Sequence, residues 1–228
     1  MKKLFIFVGV LCLLWMSVFV NRNENIKKIN SKNVYQKPVI VVDAGHGEFD
    51  GGAKVGEILE KDVNLSFSLS LEKLLVFFGY EVKMTRTNDM SMCERGLGSI
   101  RQKKISDTRK RLELIEQSDV LCSISIHQNI FSQSRYSGAQ TFYGQKNEKS
   151  QTLAVNILDS VKELLQKDNK RIAKPIGRQV YLIHNSTKPS VLMECGFMSN
   201  GEELKNLTDK TYQQKMNFCI VAGILKGF

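Results

Sequence analysis

Two of the three histidines in the chain lie where a metal site would need them. His46 follows the apolar segment at residues 39–42 and His127 ends the one at residues 120–126, and both segments have the composition of buried β-strands. The carboxyl ends of the strands in an open α/β sheet form its binding crevice, so we expect both imidazoles to lie there. Two imidazoles in one crevice indicate a metal ion.

Glu60 is the predicted third ligand, because it continues the apolar side of a helical pattern. Apolar residues recur at helical spacing through residues 63–78, and one step of three back from Val63 reaches Glu60. An isolated carboxylate on a core-facing side is costly unless it binds a partner. Two histidines and a glutamate, with a fourth position for water, form a ligand set typical of catalytic zinc.

Glu194 is the predicted general base, since it interrupts an apolar strand pattern near its carboxyl end. There it would take a proton from water and return it to the departing amine, while zinc polarises the amide carbonyl. Simpler interpretations exist for each residue alone. The histidines could be a turn residue and a core residue, and Glu60 a charge favoured at a helix N-terminus. Glu194 could pair with a buried arginine such as Arg86 or Arg111.

Other candidate signals are weaker. His184 precedes a polar loop and is interpreted as a solvated rim residue rather than a substrate contact. The glycines around His46 lack the third glycine of a dinucleotide fingerprint, and the chain has no Walker lysine, which disfavours a nucleotide site. The five cysteines form no CxxC pair and are interpreted as mostly buried free thiols.

The net charge of +10 favours an anionic partner, either a nucleic acid, a membrane surface or an anionic wall polymer. Charge alone does not choose among these partners. The basic stretch at residues 167–178 has no interleaved aromatic residues for stacking on bases, so nucleic acid is disfavoured.

The elements that must position these residues alternate between strands and helices, which predicts one α/β domain. Several strands are apolar at every position, and this favours a largely parallel or mixed sheet with helices on both faces. Strands are predicted at residues 39–42, 81–85, 120–126, 139–143, 178–183 and 191–195, and helices near residues 60–78, 99–118, 147–167 and 209–225.

The amino terminus has the composition of a membrane signal. Residues 1–20 carry two lysines followed by an apolar run at 4–20 with no A-x-A-like cleavage site, so we predict an uncleaved signal anchor over a removed signal. Residues 21–36 are polar and predict a linker. The catalytic domain is expected at residues 37–228.

Several segments together resemble the zinc-dependent N-acetylmuramoyl-L-alanine amidases of the Amidase_3 family, particularly the branch that acts on spore cortex. The resemblance runs from about Pro38 to the carboxyl terminus. Its residues lie at 42–47 with 50–52, at 59–62, at 84–86, at 125–127, at 138–142 and at 192–200.

This resemblance implies a six-stranded mixed sheet of the phosphorylase/hydrolase type, zinc on His46, Glu60 and His127, and Glu194 as the catalytic carboxylate. It also implies the substrate, the amide between muramic acid and the L-alanine of the stem peptide in peptidoglycan. In the cortex branch a separate deacetylase then forms muramic-δ-lactam, which germination enzymes recognise. The implied location is extracytoplasmic, between the forespore and mother-cell membranes.

Departures from the family pattern occur close to the predicted ligands. Ala44 stands where proline is frequent, Glu48 replaces a common glycine, and Gln128 replaces a small or apolar residue. We therefore predict weak zinc binding that an accessory protein assists. Candidates for contacting the substrate or supporting the ligands are Asp43, Arg86, Gln128 and Asn129.

Two rival functions remain open at this point. One is a peptidoglycan-binding module that keeps the fold without catalysis, and the other is a metallopeptidase that cuts within the stem peptide.

Overall fold

A computed structural model describes residues 37–227 of the chain. The predicted anchor at residues 1–20 and the linker at 21–36 lie outside the described residues. Within the described part, no helix combines the length and apolar character needed to cross a bilayer. The chain from Pro38 onward forms one compact unit.

The strands are β1 (Val39–Ala44), β2 (Lys54–Val55), β3 (Ile58–Leu59), β4 (Glu81–Met84), β5 (Val120–Asn129), β6 (Gln140–Tyr143), β7 (Lys174–Pro175) and β8 (Ser190–Phe197). The helices are α1 (Glu60–Phe77), α2 (Ile100–Ile115), α3 (Lys149–Leu164), α4 (Tyr181–Asn185), α5 (Gly201–Thr208) and α6 (Lys210–Leu225).

Six strands form one mixed sheet in the order β4-β1-β5-β8-β6-β7, and β2 pairs with β3 in a separate hairpin. The pairs β4–β1, β1–β5, β5–β8 and β6–β7 are parallel, whereas β6 runs antiparallel to β8. The predicted α/β class and six-stranded mixed sheet are therefore confirmed. Since β1, β5 and β8 are neighbours and parallel, their carboxyl ends meet at one edge of the sheet.

The central strands are apolar at nearly every position because helices cover both faces of the sheet. One face includes Ile40, Val42 and Ile124, and its core cluster extends to residues of α1, α3 and α6. The opposite face includes Val41, which clusters with Ile115 of α2 and with residues of α4. Burial on both faces is what the continuous apolar runs of the sequence predict.

Helix α1 packs one side against the sheet, and its last residue is exposed to solvent. Phe67, Leu71 and Leu75 are fully buried at helical spacing, whereas Phe77 is 82% exposed. Helix α6 packs beside it, and α3 approaches α6 so closely that a Cβ on Gly223 would lie 2.4 Å from the Ile157 Cα. Only glycine permits this helix contact.

The predicted strand at residues 178–183 is wrong. Residues Tyr181–Asn185 form the short helix α4, and the sixth strand is β7, which contains only Lys174 and Pro175. A short apolar run has no period that separates strand from helix, and Leu182 and Ile183 serve as core residues in a helix. A two-residue edge strand containing proline has no sequence pattern of its own. Helix α5 was also not predicted, although Asn200 caps its first turn.

Candidate active site

The predicted metal ligands and the predicted general base converge at the edge of the sheet where β1, β5 and β8 end. His46 follows β1, His127 lies in β5, and Glu194 lies in β8 as the direct register partner of His127. Side chains of register partners project from the same face of a sheet, so this imidazole and carboxylate lie side by side. Glu60 is the first residue of α1 and reaches the same edge from the helix N-terminus.

His46, Glu60 and His127 form a cluster able to hold a metal ion, with one potential ligand atom from each within 4.8 Å of the others. The His46 Nε2 lies 3.2 Å from the Glu60 Oε2, and the His127 Nδ1 lies 3.0 Å from the Glu60 Oε1. The two rings meet edge to face at a centroid distance of 4.8 Å. Both imidazoles thus direct a nitrogen towards one carboxylate.

Backbone and amide donors hold the Glu60 carboxylate in place. The backbone N–H groups of Ala53 and Gln128 donate to its oxygens at 2.9 and 3.2 Å, and the Asn64 amide donates at 3.3 Å. Burial raises the pKa of Glu60, but the two neighbouring histidines outweigh burial and hold that pKa well below its usual range. The group is therefore an anion at the centre of the cluster, as a metal ligand must be.

A second carboxylate orients His46 from outside the cluster. The Asp50 Oδ2 lies 3.0 Å from the His46 Nδ1, and Lys104 donates to the other Asp50 oxygen at 2.9 Å. Burial lowers the pKa of His46, but the carboxylates of Asp50 and Glu60 outweigh burial and raise it to about 9. A carboxylate on one imidazole nitrogen directs the other nitrogen towards a metal.

Two glycines, by having no side chain, provide the space for the His46, Glu60 and His127 side chains. A Cβ on Gly45 would lie 2.3 Å from the His127 Nε2, and a Cβ on Gly52 would lie 2.6 Å from the Glu60 Oε2. Gly52 also has a φ of +68°, a backbone conformation that residues with a Cβ rarely adopt. Close packing around the three groups thus fixes their positions and fits a small bound cation.

Glu194 carries a buried oxygen, Oε2, with no hydrogen-bond partner among the described residues. Burial raises the pKa of this carboxyl to about 7, with Glu60 adding to the rise and the histidines opposing it. The alternative pairing with Arg86 or Arg111 is wrong, because both guanidinium groups bind elsewhere. A carboxyl whose pKa lies near neutrality can both accept and return a proton at that pH.

The sequence profile of the N-acetylmuramoyl-L-alanine amidases called Amidase_3 matches residues 40–226. The chain belongs to this amidase family. It is 35% identical over 228 residues to the germination-specific N-acetylmuramoyl-L-alanine amidase of Bacillus subtilis (strain 168), an alignment covering 100% of the chain and 95% of that relative.

Solved structures show the same fold. The CwlD amidase of Clostridioides difficile, determined in complex with the GerS lipoprotein, is 40% identical with a TM-score of 0.79, covering 83% of this chain and 98% of that one. Another N-acetylmuramoyl-L-alanine amidase, from Clostridium difficile 630, is 26% identical with a TM-score of 0.71, covering 84% and 96%.

Two arginines of this amidase brace the backbone around His46. Arg86 donates to the carbonyl oxygens of Ala44 and Gly45, both at 2.9 Å, and Arg111 donates to the His46 carbonyl at 2.8 Å and to the Asp43 carboxylate at 2.7 Å. Arg111 and Ser125 hold the pKa of Asp43 at about 2, against the effect of its burial. These contacts favour a supporting role for Asp43 and Arg86 over contact with the substrate.

The other predicted neighbours of the site lie along the end of β5. Gln128 is buried and its amide donates to the Asn64 side chain at 3.2 Å, whereas the Asn129 carbonyl accepts from the Met198 N–H at 2.8 Å. Sequence reasoning missed Asn64 and Asp50. Asn64 could have been found, because it lies one helical turn after Glu60 on the same buried side of α1.

A cavity of about 270 Å³ lies against the two histidines and is bordered by Thr108 of α2 and Tyr181 of α4. His184 is absent from its walls. It lies half-buried in α4, with Nδ1 enclosed and without a partner among the described residues. The expectation of a solvated rim position for His184 is therefore wrong for this nitrogen, because α4 packs against the sheet.

Proposed function

We propose that this amidase is a zinc enzyme of the spore-cortex type, with His46, Glu60 and His127 as metal ligands and Glu194 as general base. The observation that carries the proposal is the unpartnered Glu194 oxygen, buried next to three groups that converge on one point. A buried carboxyl without a partner is costly, and catalytic sites are where such groups are kept.

Zinc, when bound, would supply a positive charge that polarises the scissile carbonyl and makes water more acidic. The chain's own residues do the rest. Glu194 accepts the proton of the attacking water and returns it to the departing L-alanine nitrogen. The hydrogen bonds to Glu60 and the Asp50 contact to His46 keep the ligands from turning away from each other.

The substrate would be the amide that joins muramic acid to the L-alanine of the stem peptide, in spore cortex. The name of the Bacillus subtilis relative supports a germination role. A muramic acid deacetylase would then act on the product. The chain would be held by an anchor at residues 1–20 and a linker at 21–36, placing the domain at 37–228 outside the cytoplasm, between the forespore and mother-cell membranes.

An accessory protein is the second part of the proposal, and the CwlD complex with the GerS lipoprotein supports it. The Gln128 side chain donates to Asn64, and the Asn64 amide donates to the proposed ligand Glu60, so a change of side chain at position 128 can alter the position of that ligand. Glu48 faces away, towards Ser91. We propose weak zinc binding by the isolated chain, and tight stoichiometric zinc without a partner protein would contradict this part.

Product analysis tests the function. The full chain, purified in detergent and supplied with zinc, should release peptides with a free L-alanine amino terminus and leave muramic acid intact. Cleavage inside the stem peptide would instead identify a metallopeptidase, and binding without cleavage by the zinc-loaded chain would identify a peptidoglycan-binding module.

Glu194→Gln tests the base. This variant should lose at least roughly a hundred-fold in kcat while it still binds zinc, because general-base catalysis contributes about that much or more. A Glu194→Gln variant with normal turnover would remove Glu194 from the mechanism.

A further inference from the structure

A second cavity, of about 550 Å³, opens at the same edge of the sheet as the active site. Its walls include Gly138, just before β6, and Arg171, just before β7. Because β6 runs antiparallel to β8, the first residue of β6, Gln140, is the register partner of Glu194. The cavity therefore lies on the side of the proposed base that faces away from the histidines.

Arg171 is the cationic group of this cavity that the fold holds in place. Its guanidinium lies over the Phe197 ring at 4.6 Å, its Nε donates to the Ser137 carbonyl at 2.9 Å, and its Nη1 is 3.5 Å from the Gln140 side-chain oxygen. Within residues 37–227, these contacts include no carboxylate. A half-buried guanidinium has five N–H donors, and here most of them remain available.

The other enclosed arginines differ in this respect. Arg111 has two carboxylate partners, at 2.7 and 2.8 Å, and Arg86 donates to four backbone carbonyl groups. The hydrogen-bond donors of both guanidinium groups are therefore largely occupied by other parts of the protein. Arg171 is held through its Nε, through Nη1 and by one face of the guanidinium, which leaves an edge of the group for a ligand.

Two acidic residues border the same cavity, Glu203 and the exposed Asp168, and among the described residues neither forms an ion pair with Arg171. The Glu203 carboxylate accepts from the backbone N–H groups of Gly138 at 2.8 Å and Phe197 at 2.7 Å. Burial raises its pKa, while these backbone donors and Arg171 oppose the rise. Glu203 thus fixes the two chain segments that border Arg171. It attracts the guanidinium without a hydrogen bond to it among the described residues, so the donor edge of Arg171 stays available to a ligand.

We propose that Arg171 forms a subsite for a free carboxylate of the stem peptide on the leaving-group side of the scissile amide. The inference rests on the proposed amidase function. One strand spacing and the Gln140 contact place the guanidinium on the order of 8 to 10 Å from the Glu194 carboxyl. An extended peptide covers about 3.5 Å per residue, so a carboxylate on the second or third stem residue reaches it. A planar guanidinium binds a carboxylate through two parallel hydrogen bonds.

The test uses glycan substrates in pairs that differ only in a carboxylate or a primary amide. One pair differs at the second stem residue and the other at the third. The zinc-loaded full chain should cleave one carboxylate substrate with a kcat/KM roughly ten-fold or more above its amide twin, as expected for a charge-assisted hydrogen bond. The pair that shows this preference identifies the carboxylate that binds.

Arg171→Met should reduce that preference to about one, mainly by raising KM for the carboxylate substrate. Lys167→Met is the matched control, since Lys167 borders the same cavity but is exposed, and it should keep the preference. Melting temperature and zinc content should match the parent chain in both variants. Calorimetry with the released peptides gives a second readout, in which the carboxylate peptide binds more tightly than its amide twin only when Arg171 is present.

Equal cleavage of both members in both pairs by the parent chain would refute the subsite while leaving the amidase function intact. A preference that survives Arg171→Met would refute it too. Failure to cleave any of the four substrates would instead count against the proposed function, and the calorimetry would then decide on the subsite alone.

Discussion

Replacing Arg111 by methionine should destabilise the domain strongly, and by an amount that depends on pH. Arg111 lies in the interior, where its guanidinium binds Asp43 at 2.7 Å and Asp107 at 2.8 Å. Removing one member of a buried ion pair costs about 3–5 kcal/mol, because the remaining charge stays buried without compensation. At about 2–4 °C per kcal/mol for a domain of this size, the melting temperature should fall by roughly 6–20 °C.

The pH dependence follows from the Asp43 carboxyl, whose pKa is lowered from 3.8 to about 2. A lowered pKa stabilises the folded state above the unfolded pKa, and this contribution is lost as the pH falls through the folded pKa. The difference corresponds to about 2 kcal/mol at neutral pH. In Arg111→Met the pKa of Asp43 should rise, so its carboxyl becomes neutral at a higher pH than in the parent chain. The variant's deficit should therefore begin to shrink as the pH falls through this raised pKa, and it should continue to shrink towards pH 3 as the parent chain loses its own contribution.

Urea unfolding of the metal-free protein between pH 3 and pH 7 measures both effects. Arg109→Met is the matched control, because Arg109 lies on the same helix and is exposed. It should change the free energy of unfolding by less than about 0.5 kcal/mol. Adding Asp43→Asn to Arg111→Met should recover part of the loss. A deficit below about 1 kcal/mol, or one that does not change with pH, would refute the assignment of this pair as a buried support.

Further predictions concern the cluster and the core. Gly52→Ala should abolish zinc binding in a zinc titration, whereas Gly56→Ala, with a similar φ of +59° and no atom within 4 Å of the added Cβ, should retain it. Asp50→Asn should weaken zinc binding by about 10–100-fold, and unchanged affinity would show that the carboxylate does not orient its histidine. Phe67→Ala should lower the free energy of unfolding by about 3–5 kcal/mol in urea titrations. The exposed control Phe77→Ala should have little effect, and equal losses in the two variants would contradict the burial of Phe67.

Much of the architecture was predictable because its signals are local. The core strands are apolar at most positions and α1 repeats its apolar residues with helical period, so the sequence of each element indicates which of its residues are buried. The α4 segment has only a few apolar residues, which pack equally well in a helix or a strand. The edge strand β7 is defined only by its pairing with Phe142 and Tyr143 of β6, so no local sequence pattern could reveal it.

Some features of the candidate site were likewise predictable from the sequence, and others appear only in the structure. His46, Glu60, His127 and Glu194 could be chosen from the sequence, because polar residues at the ends of apolar elements are costly without a function. Their role as ligands and base stays a prediction. Only the structure shows that His127 and Glu194 are register partners, since strand order depends on the whole chain.

By itself, the sequence determined which segments are buried and which polar residues interrupt them, since burial and period are properties of short stretches of chain. Tertiary structure alone decided the partners: Asp50 beside His46, Asn64 beside Glu60, and Arg171 over the Phe197 ring. The reason is physical. Hydrogen bonds and ion pairs act over a few ångströms, and only folding brings residues distant in sequence within that range.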